Sequence, residues 1–185
     1  FLPSEEEGPI LPGFDISVEE LVIDDLTLAG GIAGENAQRV NITGSAQVDD
    51  RRLLLDLDGR LGARDRVALL VDAEPDGDDF DLALDASAAA DGPIAALAGL
   101  DAPLDMRVRG DGTWTQWDGA LLVRSEDERV AALQLTNRAG RFGLLGTVDP
   151  TVFLTGLPAE ALGDKVALKG DIAIDNRVFD GTAIV

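Results

Sequence analysis

The sequence predicts an all-β fold, an elongated and curved antiparallel meander with two short helices. Three observations carry that reading. First, apolar residues fall at every second position in run after run: Val40, Ile42, Gly44, Ala46, Val48, then Leu53, Leu55, Leu57, Gly59, Leu61, then Val67, Leu69, Val71, Ala73, then Phe80, Leu82, Leu84, Ala86. The same alternation returns at Leu104, Met106, Val108, Gly110 and at Val166, Leu168, Gly170, Ile172, Ile174. A period of two puts these side chains on one face of a strand and the intervening Asp, Arg, Thr and Gln on the other. Second, turn residues recur roughly every 12 to 14 positions, the rhythm of an up-and-down meander. Third, no helical pattern is long enough to cover so large an apolar face, so the sheet folds onto itself or leaves a groove.

Taken in order, residues 1–13 carry three prolines, two glycines and Glu5-Glu6-Glu7, and read as an extended lead-in that Pro9 and Pro12 keep from being helical. Strands are expected near 15–19, 21–29, 37–48, 52–61, 65–73, 79–88, 103–113, 116–124, 129–137, 141–148, 165–175 and 178–184. Turns separate them at Gly30-Gly31, Asp49-Asp50, Gly62, Glu74-Pro75-Asp76-Gly77, Glu126-Asp127-Glu128, Arg138-Ala139-Gly140 and Asp175-Asn176. Asp91-Gly92-Pro93 opening onto Ile94, Ala95, Ala96, Leu97 and Ala98 reads as a short helix with proline in its first turn and Gly99 as its stop. Pro158-Ala159-Glu160-Ala161-Leu162-Gly163 has the same shape.

These elements group into a lead-in at 1–13, a β-hairpin at 14–36, and β-repeats at 37–100 and 101–164, each closed by its short helix. A third repeat begins at 165–185. The strand opening each block supports the grouping: Ile42-Thr43-Gly44-Ser45-Ala46, Val108-Arg109-Gly110-Asp111-Gly112 and Leu168-Lys169-Gly170-Asp171-Ile172. Their glycines lie 66 and 60 residues apart. Such a period suits stacked sheet segments that extend one surface. Propeller blades share the four-strand count but run about 40 to 50 residues without an intervening helix.

Composition excludes several classes of function. Cysteine and histidine are both absent, which removes disulfides, Cys–His and Ser–His nucleophile systems and the commonest metal ligand. Fifteen basic against 35 acidic residues give a net charge of −20, a field that repels nucleic acid and anionic lipid surfaces. Acidic residues are so numerous that a carboxylate pair of any spacing occurs, and none can be singled out for glycoside hydrolysis. Asp76-Gly77-Asp78-Asp79 lacks the ligand ladder and closing Glu of a calcium loop. Arg109-Gly110-Asp111 and the sequon Asn41-Ile42-Thr43 both fall inside strands. The expectation is therefore no enzyme, no catalytic residues, no metal and no cofactor. No stretch reaches the roughly 18 apolar residues of a membrane span. The chain starts at Phe1 rather than Met, and the expectation is a part of a longer protein.

Two features leave alternatives open. Gly44, Gly59, Gly110, Gly146 and Gly170 fall in the apolar phase, where they permit either tight coiling of the sheet or room for a lipid tail. Trp114 and Trp117 bracket a turn, with Trp117 in the apolar phase, and either pack a hairpin or form a rim where a ligand enters.

Two stretches resemble the TamB family of the translocation and assembly module, within the wider AsmA-like group. One is Phe14 to Leu28 followed by the Val40–Val48 strand; the other is Ala102 to Leu121 leading to the strand end at Leu144–Pro150. The resemblance implies a sheet rolled lengthwise into an open, taco-like groove with an apolar interior. It implies a periplasmic segment of a protein anchored in the inner membrane, with phospholipid acyl chains and the outer-membrane barrel TamA as partners. It also implies transport of phospholipids between the two membranes and support for outer-membrane protein assembly. The groove lining would be Val40, Ile42, Leu53, Leu55, Leu57, Val67, Leu69, Val71, Leu82, Leu84, Met106, Val108, Leu121, Val123, Leu168 and Ile172, all in the apolar phase. The competing reading is a structural or adhesive β-solenoid of an acidic extracellular protein, which would use the same alternation to pack a dry core.

Overall fold

A computed structural model describes residues 10, 11, 13–31, 37–98, 102–152, 165–175 and 178–184. Eleven strands form one sheet: β1 (Ile16–Leu28), β2 (Gln38–Asp49), β3 (Arg52–Leu61), β4 (Asp65–Glu74), β5 (Asp79–Ala88), β6 (Leu104–Gly112), β7 (Gln116–Ser125), β8 (Glu128–Arg138), β9 (Arg141–Val148), β10 (Val166–Asp175) and β11 (Val178–Ile184). Each strand pairs antiparallel with its neighbours in sequence, and β1 does not meet β11, so the sheet is an open meander. Strands hold more than half of the 185 residues. One helix, α1 (Pro93–Ala98), and a 3-10 turn at Pro150–Val152 are the helical elements among the described residues. The expected helix at 158–163 and the turn at Asp175-Asn176 lie outside the described residues or at their limit.

The strands from β2 onward follow the expected spans to within a residue or two. At the N-terminus the structure differs. The hairpin expected within 14–36 is replaced by one long strand, Ile16–Leu28, paired throughout with β2. Its register shifts twice, between Val18 and Leu21 and between Ile23 and Leu26. Each shift admits one extra residue, and the alternation changes phase there. Asp25 takes a positive φ of 56° at the second bulge, where its N–H donates to Asn41 Oδ1 at 2.9 Å. The bulges place Glu19, Glu20, Asp24 and Asp25 along the sheet's edge strand, and bulged, charged edges resist pairing with foreign strands.

Several hairpins close through left-handed pairs at both central positions: Asp50 and Arg51 (φ 46° and 64°), Glu126 and Asp127 (57° and 95°), Ala139 and Gly140 (52° and 84°). This is the turn geometry whose twist matches that of the flanking strands.

The register assembles the alternation into continuous rows. One runs Leu21, Gly44, Leu57, Leu69, Leu84, Val108, Leu121, Leu133, Gly146, Leu168 across ten strands. A parallel row runs Ala46, Leu55, Val71, Leu82, Gly110, Gly119, Leu135, Leu144, Gly170. Gly110 and Gly170 therefore share a row, and Gly44 lies one row away. Exposure follows the phase: along β3 the residues alternate between exposed and half-buried from end to end.

A small core forms where α1 lies against one end of this face. Ala95 is 0% exposed and packs with Ala88, Leu104 and Val130, flanked by Ile94, Val123 and Val152. The helix is placed by a residue far away in sequence. Asp65, 1% exposed and in the apolar phase of β4, accepts hydrogen bonds from the N–H groups of Ala89 and Ile94, both at 2.8 Å. Ile94 is in the first turn, so Asp65 does from another strand what an N-capping side chain does locally. Gly92 leaves the space that the carboxylate occupies.

Candidate functional site

All sixteen residues expected to line a groove lie on one face of the sheet. Val40 begins the row nearest α1, followed by the row of Ile42, Val67, Met106 and Val123. Next come Leu57, Leu69, Leu84, Val108, Leu121 and Leu168, then Leu55, Val71 and Leu82. Leu53 and Ile172 fall in the row farthest from α1. Val40 and Val108 are buried, and most of the others are half-buried. Ile172 is 43% exposed beside Phe142 at 42%, so the strip opens toward water at that end. Among the described residues, α1 and the 3-10 turn at Pro150–Val152 pack against this face, both at one end.

The same strip includes residues that the sequence reading did not name as lining: Leu133 and Leu135 on β8, Leu144 on β9, and the aromatic group Phe80, Trp114 and Trp117. The β8 and β9 leucines were legible from their phase. The aromatic group was legible only in part. Phe80 stacks on Trp114 with centroids 4.3 Å apart, and Trp117 stands 6.2 Å from Phe80. The loop carrying Trp114 is pinned: the Gln116 N–H donates to Thr113 Oγ1 at 2.8 Å, and Asn137 Nδ2 donates to the Trp114 carbonyl at 2.7 Å.

Trp117 decides what two of the glycines are for. Its indole lies over Gly110 and Gly119, where a Cβ on either would run into the ring. The indole Nε1 is enclosed with no acceptor among the described residues. These glycines make room for a tryptophan of the chain itself. At Gly44 and Gly146 a Cβ would meet the backbone carbonyls of Asp56 and Ala132 on the neighbouring strands, which is the close approach of a tightly coiled sheet. Of the five inward glycines named from the sequence, curvature and packing account for Gly44, Gly110 and Gly146, while Gly59 has only ordinary contacts and Gly170 is approached by the Leu144 side chain.

The opposite face is held by directional contacts. Arg52 clamps Asp72 with two hydrogen bonds, Nε to Oδ1 and Nη2 to Oδ2, each 2.6 Å. Asp85 is shared by Arg107, at 2.9 Å, and Arg109. Arg138 Nη2 donates to Asp118 at 2.6 Å. Each clamp ties adjacent strands. The hydrogen bonds from Arg52 hold the Asp72 carboxyl below the usual carboxylate range, and those from Arg107 and then Arg109 do the same for Asp85. The Asp72 contact raises the Arg52 guanidinium in turn. These pairs are solvent-exposed, so water and salt compete for each and each adds little to stability. Asp56, Asp58, Asp81, Arg107 and Arg109 are exposed on this face as expected, while Asp85 is half-buried between its two arginines. Leu54 and Leu70 share this face and are exposed, so the separation of apolar from polar is incomplete.

A cavity of about 1080 Å³ opens on the polar face, the side opposite to the expected groove. It is bounded by Asp24 of β1, Thr43 of β2, Asp58 and Arg60 of β3, Arg66 of β4, Ser87 of β5, Asp105 and Arg107 of β6, and Arg124 of β7, with Asp127 from the next turn. Seven flat strands would spread over roughly 30 Å at their usual spacing of about 4.8 Å, so the sheet curls toward its polar face at this end. No pattern in the sequence announces this, because curl is a property of the assembled sheet. Groups of three or more acidic side chains able to hold a metal ion are absent among the described residues. No protein-family model, curated protein or solved structure matches this chain.

Proposed function

We propose that this chain is a section of a periplasm-spanning hydrophobic groove. It would pass phospholipid acyl chains between inner and outer membranes and support outer-membrane protein assembly, with the outer-membrane barrel TamA as the partner of the whole protein. The observation that carries the proposal is the continuous apolar row from Leu57 through Leu69, Leu84 and Val108 to Leu121 and Leu133, which lies two rows away from the one nearest α1. Fully burying a Leu or Val is worth about 1.5–3 kcal/mol. A half-exposed side chain therefore has on the order of 1 kcal/mol left to gain from an apolar ligand. Contiguous apolar surface of this extent marks a binding site more often than an idle one. The strip is built mainly of Leu, Val, Ile and Ala, which offer no directional group, so it suits acyl chains of varied length.

The test is photo-crosslinking on the full chain mixed with phospholipid vesicles. Crosslinkers at Leu55, Leu84 and Leu121 are expected to capture lipid, identified by mass spectrometry, and those at Asp56 and Asp81 to capture none. Capture of protein alone at the apolar positions would overturn the conduit in favour of the structural solenoid.

A further inference from the structure

The polar-face cavity gathers arginines that hold no carboxylate; Arg51, Arg129 and Arg141 outside it also hold none among the described residues. Acidic residues outnumber basic ones 35 to 15, and Arg39, Arg52, Arg64, Arg107, Arg109 and Arg138 each hold a carboxylate within 4.0 Å. Arg60, Arg66 and Arg124 hold none among the described residues, and all three line the cavity. Arg60 and Arg66 also stand directly opposite each other across β3 and β4. Like charges in that arrangement repel. An anion between them reverses the sign of the interaction, and two guanidinium forks suit a phosphate.

A simple anion does not account for the rest of the lining. Asp24, Asp58, Asp105 and Asp127 also face the cavity and hold no basic partner within 4.0 Å among the described residues, while Asp85 is already held by Arg107 and Arg109. The cavity thus offers free charges of both signs, inside a chain of net charge −20 that repels polyanions. We propose that it binds a phosphate–ammonium zwitterion of the phosphoethanolamine class, the phosphate on Arg60 and Arg66 and the ammonium toward the carboxylates. Its volume of about 1080 Å³ lies just above the roughly 300–1,000 Å³ usual for small-molecule sites. The site lies on the other face from the apolar strip and does not depend on the conduit.

Calorimetric titration of the full chain with glycerophosphoethanolamine tests this, beside inorganic phosphate, ethanolamine, and vesicles with and without phosphatidylethanolamine. Saturable binding at least tenfold tighter than that of phosphate or ethanolamine alone is expected. The R60Q/R66Q variant is expected to weaken it at least tenfold with an unchanged circular dichroism spectrum and a melting temperature equal to or above that of the parent. Arg124→Gln should weaken it less, and Arg141→Gln, outside the cavity, should leave it unchanged. Vesicle binding that needs phosphatidylethanolamine identifies a lipid headgroup as the source; binding of the soluble compound alone identifies a free metabolite. Phosphate binding as tight as the zwitterion, or R60Q/R66Q binding at parental affinity, overturns the proposal.

Discussion

The two faces of this sheet come from the same alternating residues, yet different forces hold them. On the apolar face the contacts are non-directional: Leu57, Leu69, Leu84 and Leu121 follow one another in register, and Trp117 settles over two glycines. On the polar face Arg52–Asp72, Arg107–Asp85 and Arg138–Asp118 fasten strand to strand by geometry. The first kind of cohesion is strong where something covers it and unfinished where nothing does. The second is complete in itself and weak, because water competes for every clamp. The difference teaches that in a single-layer sheet stability concentrates where a third element arrives, which here is α1, fastened by Asp65.

The comparison breaks most readily at that fastening. Asp65→Ala leaves the half-buried Ala89 and Ile94 amides without their acceptor, and each lost partner of this kind costs about 1–3 kcal/mol. A loss of about 2–4 kcal/mol is expected in urea denaturation, with hydrogen-exchange protection lost first at those two amides. Protection unchanged there would mean that α1 is held by its apolar contacts alone.

A charge placed on each face sharpens the contrast. Leu121→Asp, in the middle of the strip, should cost about 1–3 kcal/mol, since a half-buried site must desolvate the carboxylate. Leu70→Asp, on the polar face at 44% exposure, should stay within about 0.5 kcal/mol of the parent. Equal losses would show that the polar face is covered as well.

Gly110→Ala pushes a methyl into the Trp117 ring and should cost about 1–3 kcal/mol, as overpacking does. Trp117→Leu added to Gly110→Ala should recover part of that, and a double variant worse than the sum of the singles would remove the ring from the explanation.

Acid acts on the polar face. Asp72 and Asp85 have pKa values below those of the unfolded chain, so their contribution is fully present above the unfolded carboxylate value of about 3.9 and fades as pH falls through the depressed values. The stability gap between the parent and Asp72→Asn/Asp85→Asn should therefore be constant from pH 7 to about 5 and close below pH 4. A gap that widens on acidification would reverse the sign assigned to the clamps. The smallest effect expected is a gain of about 0.5–1 kcal/mol from Ala139→Gly, because Ala139 holds a left-handed φ of 52°.

Most strands were legible because alternation is local: Leu53, Leu55 and Leu57 announce β3 without reference to anything distant. β1 was not, since Glu19-Glu20 and Asp24-Asp25 interrupt the phase, and an interrupted strand reads as two. Which side chains share the strip was legible from parity. Trp117 filling the space above Gly110 and Gly119 was not, because the glycines lie on neighbouring strands and only register brings them under one ring. Asp65 gave no signal, its partners lying 24 and 29 residues away. The cavity of Arg60 and Arg66 depends on the curl of the whole sheet, which no pair of residues encodes.

The order of the strands, each bonded only to its neighbours in sequence, has a mechanical consequence. Pulled at its two ends, such a sheet has no interior strand locked between distant partners. It would release one strand at a time, its ladders opening in succession like a zip rather than sliding past one another together. A force–extension trace would then show a train of small, similar steps at low load, with a larger event expected where α1 is torn from Asp65.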